Sequence, residues 1–404
     1  MRVSTANLYE ASISNLQRRQ TALQTHQQQL TSGKRVLNAS DDPTGAARAE
    51  RALATIGRVD ANQRSLEASR NSMALAESAL GDAGELLQQA RETMVAAGNA
   101  SYTDAERTAL AQKLQGLRGQ LLAIANRTDG AGGYVFGGQG SANPPFLDRS
   151  TGVAYVGVPG QLQSGNLEDF PLTMDGRDAW ESAASGNGFF VTGAAGNSLV
   201  PGQAAKGWID SGSVTDPSRL TGLAYGIAIG GSAPSQTYTI SPPPSDGSPA
   251  TGSFTPGKAL QFDGMSMTIS GAPADGDNFS IAPSTRSLKT FDVLDRAIGD
   301  LLAPNRGSAQ ITQDNNDALR DLDAVMGAMK NARSQAGEAL NQLDGSETRM
   351  SALKLYSQQE QSAATDLDMT QAISEFSNQQ AGYDAALKTY AMVQRMSLFQ
   401  YLSG

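Results

Sequence analysis

Residues able to perform chemistry are scarce in this sequence. It contains no cysteine, and His26 is its one histidine. Disulfides, zinc–thiolate sites, iron–sulfur clusters and cysteine nucleophiles are therefore excluded, as are metal sites that need two or more histidines. A Ser–His–Asp triad could use only His26, which lies in a glutamine-rich stretch of helical character. We expect a protein that is not an enzyme and that binds no cofactor or metal.

Two local patterns look like ligand sites but lack residues that such sites need. The run from Gly130 to Gly140 is rich in glycine, yet neither the Lys-Ser or Lys-Thr pair nor the following helix of a phosphate-binding loop is present. Asp263, Asp275 and Asp277 lack the alternating acidic positions and the closing glutamate of a calcium loop. We interpret the first pattern as a boundary loop and the second as turn residues.

Length and charge restrict the class of protein further. The chain has 404 residues, with 31 Lys and Arg against 40 Asp and Glu, which gives a formal net charge of −9. A single domain rarely exceeds roughly 250–300 residues, so two or more domains are expected. The acidic balance argues against a nucleic-acid partner. Without a signal-peptide core or a run of roughly 20 apolar residues, we predict no cleaved signal and no membrane insertion.

Glycine and proline divide the chain into helical ends and a different middle. Residues 131–280 hold 27 of the 43 glycines and 13 of the 16 prolines. Both residues interrupt helices and mark turns, so long helices are expected only outside this segment. Short strand-like runs fill the middle, at 134–136, 153–158, 236–240, 259–269 and 279–281. They predict a small β-rich domain.

The first helical segment, about Asn7 to Leu37, carries a narrow apolar stripe. Its members recur every seven residues, which is typical of a coiled-coil seam. They are Tyr9, Leu16, Leu23, Leu30 and Leu37. The rest of the surface is mostly polar, so this helix is expected to need partners to bury the stripe.

A break follows the first helix. Asp41 and Asp42 could be read as a carboxylate pair, but they precede Pro43, and a helix cap explains them: Asp42 suits the N-cap and Pro43 the first helical position. A long second helix is predicted from Thr44 to about Ala97. Its seven-residue stripe comprises Leu66, Met73, Leu80, Leu87 and Met94. A third helix is predicted from Thr103 to Asn126.

Helical character returns near Ser287 as a second long rod and a final helix. The rod carries a stripe of Leu322, Met329, Leu343 and Met350, which could pack against the 44–97 helix. The final helix, about Leu367 to Leu402, has a mostly apolar stripe at alternating spacings of three and four: Ile373, Phe376, Gln380, Tyr383, Leu387 and Tyr390. We predict that the seams at the two ends of the chain, together with Leu398, mediate assembly.

These elements predict a mainly α fold with a β-rich insert. Residues 1–40 and 366–404 would be terminal helices of a coiled-coil assembly layer. Residues 41–145 and 286–365 would form a paired long-helix rod domain. Residues 146–285 would form an inserted outer domain rich in glycine and proline.

The residues at both ends resemble those of the flagellin superfamily of bacteria. Segment 30–46 (LTSGKRVLNASDDPTGA) is similar to the stretch that follows the first helix in that family, although flagellins commonly have alanine at Pro43. Three segments look more like the hook–filament junction proteins: the opening Met1–Thr5, 134–138 (YVFGG) and the tail 390–402 (YAMVQRMSLFQYL). The run from Gly264 to Phe279 resembles a strand-loop unit of hook-associated proteins. The resemblance covers about 140 N-terminal and 115 C-terminal residues and is weak over most of 145–260.

This resemblance implies a structural protein of the bacterial flagellum that is needed for filament assembly and swimming. Its members are exported through the flagellar type III apparatus without a cleaved signal and act outside the cell. The implied partners are the first hook-associated protein, flagellin and further copies of the chain in a ring. An export chaperone would bind the C-terminal segment and cover Phe376, Tyr383, Tyr390 and Phe399.

Two other functions remain open at this stage. The chain could be a flagellin-type filament subunit of the same fold, which would be made in far larger amounts than a junction protein. It could also be a secreted enzyme whose β-rich insert carries the activity; a carboxylate pair in a pocket of 146–285 would support this, but the sequence shows none.

Overall fold

Long helices dominate the computed structural model. It describes the backbone of residues 2–99, 101–140 and 143–402, and the side chains of residues 10–99, 101–140, 143–392 and 394. The helices are α1 (Arg2–Ser32), α2 (Pro43–Ala97), α3 (Asp104–Ala125), α4 (Gly176–Trp180), α5 (Thr290–Leu302), α6 (Ser308–Thr365) and α7 (Met369–Leu402). No helix of the described residues has the length and hydropathy needed to cross a membrane.

The chain divides into two compact units. The terminal unit comprises residues 1–64 and 346–404, and the central unit comprises residues 65–345. In the terminal unit, α1 packs against α7. In the central unit, α3 packs against α5, and the central part of α2 lies in the core with Leu66, Met73 and Leu80 almost fully buried.

Local capping explains where α3 begins. The Thr103 side chain accepts a hydrogen bond from the Glu106 amide, and the Glu106 carboxylate accepts one from the Thr103 amide at 2.7 Å. This capping box satisfies two amides that the first helical turn leaves without partners. From there, Ala111, Leu114, Leu117 and Leu121 repeat every three or four residues and are buried.

The β-rich middle contains a two-sheet sandwich, here called the sandwich domain (Phe190–Pro283). One sheet has the order β11-β10-β9-β14-β6, and in the other β12, β13 and β7 are neighbours and β8 also pairs with β13. The strands are β6 (Phe190–Asn197), β7 (Gly207–Ile209), β8 (Ser213–Val214), β9 (Tyr225–Gly230), β10 (Thr237–Ser241), β11 (Thr251–Ser253), β12 (Ala259–Phe262), β13 (Met265–Gly271) and β14 (Asp277–Pro283). All of their pairings are antiparallel.

Alternating burial along the strands builds the core of the sandwich domain. Ile227, Phe279 and Ile281 from one sheet and Met267 and Ile269 from the other are at most 1% exposed. Successive strand residues point to opposite faces, so every second side chain enters the space between the two sheets.

Short strands and an aromatic cluster join the sandwich domain to the helices. The strands are β1 (Phe146–Arg149), β2 (Gly152–Tyr155), β3 (Gln163–Ser164), β4 (Phe170–Pro171), β5 (Ala183–Ala184) and β15 (Arg286–Leu288). Trp180 stacks on Phe291 of α5 with ring centroids 5.7 Å apart, and Phe136 and Phe146 contact it from other sides. The cluster anchors this part of the chain to the helical core.

The predicted fold class, mainly α with a β-rich insert, is confirmed, and several element limits differ from the predictions. Helix α1 ends at Ser32 rather than near Leu37, because Gly33 adopts a positive φ of 68°. Residues 134–136 are not a regular strand. The run 259–269 is two strands joined by a turn, with φ values of 44° at Asp263 and 74° at Gly264.

Candidate assembly surface

The segment after α1 is held to the segment before α7 by backbone hydrogen bonds. The Arg35 amide donates to the Thr365 carbonyl at 2.7 Å, and the Leu367 amide donates to the Gly33 carbonyl at 3.0 Å. The Arg35 guanidinium also donates to the Ala364 carbonyl. These bonds bring the N- and C-terminal parts of the terminal unit together at one place.

Asp42 and Pro43 occupy the start of α2. The Asp42 carboxylate accepts hydrogen bonds from the Gly45 amide at 2.9 Å and from the Thr44 hydroxyl at 2.8 Å. These two bonds, and more weakly Arg35, hold the pKa of Asp42 below its ordinary value. The geometry is that of an N-cap followed by proline at the first helical position. Asp41 accepts hydrogen bonds from the amides of Leu37 and Asn38 and so closes the preceding turn.

The N-terminal seam residues are partly covered. Leu16, Leu23, Leu30 and Leu37 are all half-buried. His26 is also half-buried. The Tyr9 side chain lies outside the described residues. Each leucine therefore retains accessible apolar surface.

The C-terminal seam residues divide between two faces of α7. Phe376, Tyr383 and Tyr390, which are seven residues apart, are half-buried. Ile373 and Leu387 are 54% and 41% exposed. Leu398 and Phe399 have side chains outside the described residues. The predicted seam thus contains a more covered aromatic face and an open aliphatic face.

Close packing of α1 and α7 is visible at Gly382. A Cβ atom at this position would lie 2.5 Å from a guanidinium nitrogen of Arg19, so glycine allows the Arg19 side chain to cross α7. Ala372, on the same helix, is 4% exposed. Sequence reasoning missed both residues because neither is a large apolar side chain.

Further exposed apolar residues of the terminal unit were absent from the sequence prediction. They are Leu53, Leu353, Leu355, Tyr356, Met369 and Met392. The last two lie on α7, and Met369 is four residues before Ile373, a spacing that places both on one side of the helix. That spacing is the signal that could have identified it.

The rod-packing residues are buried. In the central unit, Leu66, Met73, Leu80, Leu87 and Met94 of α2 and Leu322, Met329 and Leu343 of α6 are at most 2% exposed. Met350 is 3% exposed and lies in the terminal unit, where its sulfur is 3.4 Å from the Asn62 side-chain nitrogen. Ion pairs join α2 to α6 within the central unit, among them Arg91 with Asp323 at 2.6 Å.

The acidic residues of the sandwich domain serve turns. The Asp263 carboxylate accepts hydrogen bonds from the Ser245 and Asp246 amides and the Tyr225 hydroxyl. Asp277 similarly accepts from the Lys206 and Ala274 amides. Because these oxygens face N–H and O–H donors, they are already engaged. Across the described parts of the chain, no three His, Cys, Asp or Glu residues are grouped as metal ligands would be.

The glycine-rich run after α3 is likewise organised by a side chain. Asp129 accepts hydrogen bonds from the Ala131 and Gly133 amides at 2.8 and 2.9 Å. The backbone donors that a phosphate would need are thus partly used by the protein itself.

Comparison with known proteins shows that the chain is similar to proteins of the bacterial flagellum. A profile of the bacterial flagellin N-terminal helical region matches residues 3–141. Flagellar hook-associated protein 3 of Escherichia coli is 25% identical over 415 aligned positions, which cover 99% of both chains. Its counterpart in Salmonella typhimurium is 37% identical over 160 residues, 38% of this chain, and this alignment spans about half (48%) of that relative's length.

The fold shows the same similarity. The crystal structure of flagellar hook-associated protein 3 from Legionella pneumophila superposes with a TM-score of 0.68 at 28% identity, covering 76% of this chain and 96% of that one. Together with the full-length alignment, this makes the chain similar to flagellar hook-associated protein 3 over most of its length, and its residues 3–141 match the helical region of flagellins.

Proposed function

We propose that this chain is a structural subunit of the bacterial flagellum that joins the hook, through the first hook-associated protein, to the flagellin filament. The alignment with hook-associated protein 3 of E. coli carries this proposal, because it spans 99% of both chains. Polar flagellin F of Vibrio parahaemolyticus, by contrast, aligns over only 150 residues, 37% of this chain, at 28% identity. That contrast favours a junction subunit over a filament subunit and over an enzyme with activity in the insert.

The exposed aliphatic face of α7 supports a role in assembly. Ile373 and Leu387 leave large apolar surfaces in water, and such surfaces are stabilised when another chain covers them. We propose that this face and the half-buried leucines of α1 contact neighbouring copies and the two flagellar partners. Residues 1–40 and 366–404 would then form the inner layer, residues 41–145 and 286–365 the next layer, and residues 146–285 the outer domain.

We also propose how the chain is exported. The chain lacks cysteine, so it forms no disulfides that an oxidising site outside the cell would introduce, and we propose that it reaches that site by flagellar type III export. A flagellar export chaperone would cover the aromatic face of Phe376, Tyr383 and Tyr390 until the chain leaves the cytoplasm.

Deletion of the gene tests the proposal. A junction protein predicts cells with hooks but without filaments, and flagellin released into the medium. Complementation with Leu387→Asp should leave this defect in place, because a charge on the exposed face opposes its burial in an assembly. Leu302→Asp is the matched control, since Leu302 is similarly exposed (45%) but lies at the end of α5 in the central unit.

Three results would count against the proposal. Cells that lack the gene but still carry normal filaments would exclude a junction role. Loss of flagellin from both cells and medium would identify the chain as the filament subunit instead. Normal filaments with Leu387→Asp would show that the aliphatic face of α7 is not an assembly surface.

A further inference from the structure

The sandwich domain is connected to the helices of the central unit by two adjacent chain segments. At this neck, the Ser185 amide donates to the Thr285 carbonyl at 2.9 Å, and the Ser284 hydroxyl donates to the Ser185 carbonyl at 2.6 Å. Strands β5 and β15 pair beside it. A body attached through two neighbouring segments can turn about them, so its orientation depends on contacts made elsewhere.

Helix α6 makes two such contacts with backbone groups of the sandwich domain. The Gln313 side-chain oxygen accepts a hydrogen bond from the Ile209 amide of β7 at 2.8 Å. The Arg320 guanidinium donates to the Thr192 carbonyl of β6 at 3.0 Å. Gln313 and Arg320 are seven residues apart, two helical turns, and therefore lie on one face of α6. The helix thus holds two different strands at once.

Asp317 lies between these two residues and orients both. Its Oδ1 accepts a hydrogen bond from the Arg320 guanidinium at 2.7 Å, and its Oδ2 accepts one from the Gln313 side-chain nitrogen at 3.1 Å. A glutamine amide that donates to Asp317 must present its oxygen on the other side, where the Ile209 amide lies. The ionised carboxylate therefore selects the amide orientation that binds β7.

A second carboxylate holds the guanidinium from another side. Asp321 accepts from the Arg320 Nε at 2.9 Å and from Arg296 of α5 at 3.0 Å. The Arg320 and Asp321 side chains are 10% and 4% exposed. Arg320 is therefore held in place before it contacts Thr192, which reduces the conformational entropy lost in that contact.

We propose that Gln313, Asp317 and Arg320 form a proton-sensitive clamp that fixes the orientation of the sandwich domain on helix α6. A protonated Asp317 has one O–H donor and can no longer accept through both oxygens in the same way. With the proton on Oδ2, the Gln313 amide turns its oxygen toward Asp317 and its nitrogen toward the Ile209 amide. Two donors then face each other, and the bond to β7 is lost.

The groups around Asp317 set the pH at which its carboxylate is protonated, and that pH is mildly acidic. Burial raises its pKa to about 6, while Arg320 and the Gln313 hydrogen bond lower it and Asp321 and Asp314 raise it. Helix α5 adds Arg296, bound to Asp321, and Asp300, whose own pKa is raised partly by Asp317. The sandwich domain contributes the backbone groups of Thr192 and Ile209.

Fluorescence energy transfer on the full chain tests the clamp. Because the chain contains no cysteine, Thr239→Cys on β10 and Ser334→Cys on α6 can be labelled without background. Single-molecule transfer efficiencies should form one narrow population near neutral pH. At about pH 5, roughly nine-tenths of Asp317 is protonated, and the population should broaden or split.

Variants separate the clamp from general effects of acid. Asp317→Asn should give the broad population at both pH values, because an asparagine amide cannot accept through both terminal atoms. Arg333→Gln is the matched control: it removes an arginine of α6 that pairs with Glu77 of α2, and it should behave like the parent chain. A second pair of labels, Gln112→Cys on α3 with Ser334→Cys, should stay narrow throughout.

Either of two results would overturn the proposal. A parent chain whose transfer distribution is equally narrow at both pH values would show that protonation does not release the domain. An Asp317→Asn variant with native helicity and a narrow distribution would show that other contacts fix its orientation. Should Asp317→Asn fail to fold, the pH series on the parent chain still decides between these outcomes.

Discussion

The terminal and central units contain apolar stripes with the same seven-residue period, but they bury them to different extents. In the central unit, Leu80 and Leu87 are 1% and 0% exposed. In the terminal unit, Leu16 and Leu23 are half-buried and Leu387 is 41% exposed. Periodicity decides which face of a helix is apolar, whereas the number of neighbouring elements decides how much of it is covered. The terminal unit therefore keeps accessible apolar surface that another chain could cover.

Truncation of one leucine in each unit should give the largest measurable difference. We expect Leu80→Ala to lower the free energy of unfolding by about 2–5 kcal/mol, because it leaves a cavity in a closely packed core. Leu23→Ala should lower it by about 1 kcal/mol or less, since its side chain already contacts water. Guanidinium denaturation of the monomer, followed by circular dichroism, measures both.

The same pair of variants can contradict this comparison. Equal losses of stability would mean that the leucine stripe of α1 is as well covered within one chain as that of α2. In an assembly assay, we expect Leu23→Ala to have the larger effect of the two variants. Leu23→Ala should impair incorporation into flagella, whereas Leu80→Ala should do so only as far as it reduces the folded fraction.

Within the central unit, Asp300 on α5 should make stability depend on pH. Burial, and then the nearby Asp314, raise its pKa to about 6 from 3.8. The folded chain therefore binds this proton more tightly than the unfolded chain, and its contribution to stability is lost as pH rises from about 4 to about 6. We expect Asp300→Asn to raise the free energy of unfolding by about 1–2 kcal/mol at neutral pH, because one pKa unit corresponds to about 1.4 kcal/mol and solvent screens part of it.

Denaturation midpoints measured across this pH range provide the check. The gain from Asp300→Asn should vanish below about pH 4, where both states carry the proton. Asp323→Asn is a suitable control, because Asp323 is an exposed partner of Arg91 and its removal should have a small effect. A gain that is the same at every pH would show that the Asp300 charge is not responsible.

The smallest expected effect concerns the start of α3. Thr103→Ala removes the side chain that accepts from the Glu106 amide and should lower the free energy of unfolding by about 1 kcal/mol. Thr108→Ala, on the same helix, should be neutral or slightly stabilising, since the Thr108 hydroxyl only bonds the preceding turn and alanine favours helix. Equal effects of the two substitutions in thermal denaturation would argue against the capping box.

Local signals predicted the helices well and the segment limits less well. Asp42 and Pro43 marked the start of α2 because capping involves only the next three residues. The helical region after Ser287 proved to be two helices, α5 and α6, interrupted after Leu302, with a positive φ of 57° at Asn305. The apolar period did not reveal that interruption, although Pro304 and Gly307 mark it in the sequence. The prediction of one strand over 259–269 overlooks Asp263-Gly264, a two-residue hairpin turn at which the apolar alternation shifts by one position.

Long-range contacts explain what was missed in the candidate sites. Gln313, Asp317 and Arg320 look like an ordinary polar helix face in the sequence. Their partners, Ile209 and Thr192, are 104 and 128 residues away along the chain, so only the fold brings them together. Ile373 and Phe376 likewise belong to one periodic pattern, and the packing of α1 against α7 separates them into an open and a more covered face.

Composition and spacing alone thus determined that the protein is mainly helical at its ends, is β-rich between them, and lacks thiol and multi-histidine chemistry. They could do so because helix caps, apolar periods and residue types act over a few neighbouring positions. The tertiary structure decided which stripes are fully buried, which faces stay open to partners, and how the sandwich domain is held on α6. Burial and hydrogen bonding between distant segments depend on where the whole chain runs, which no local pattern encodes.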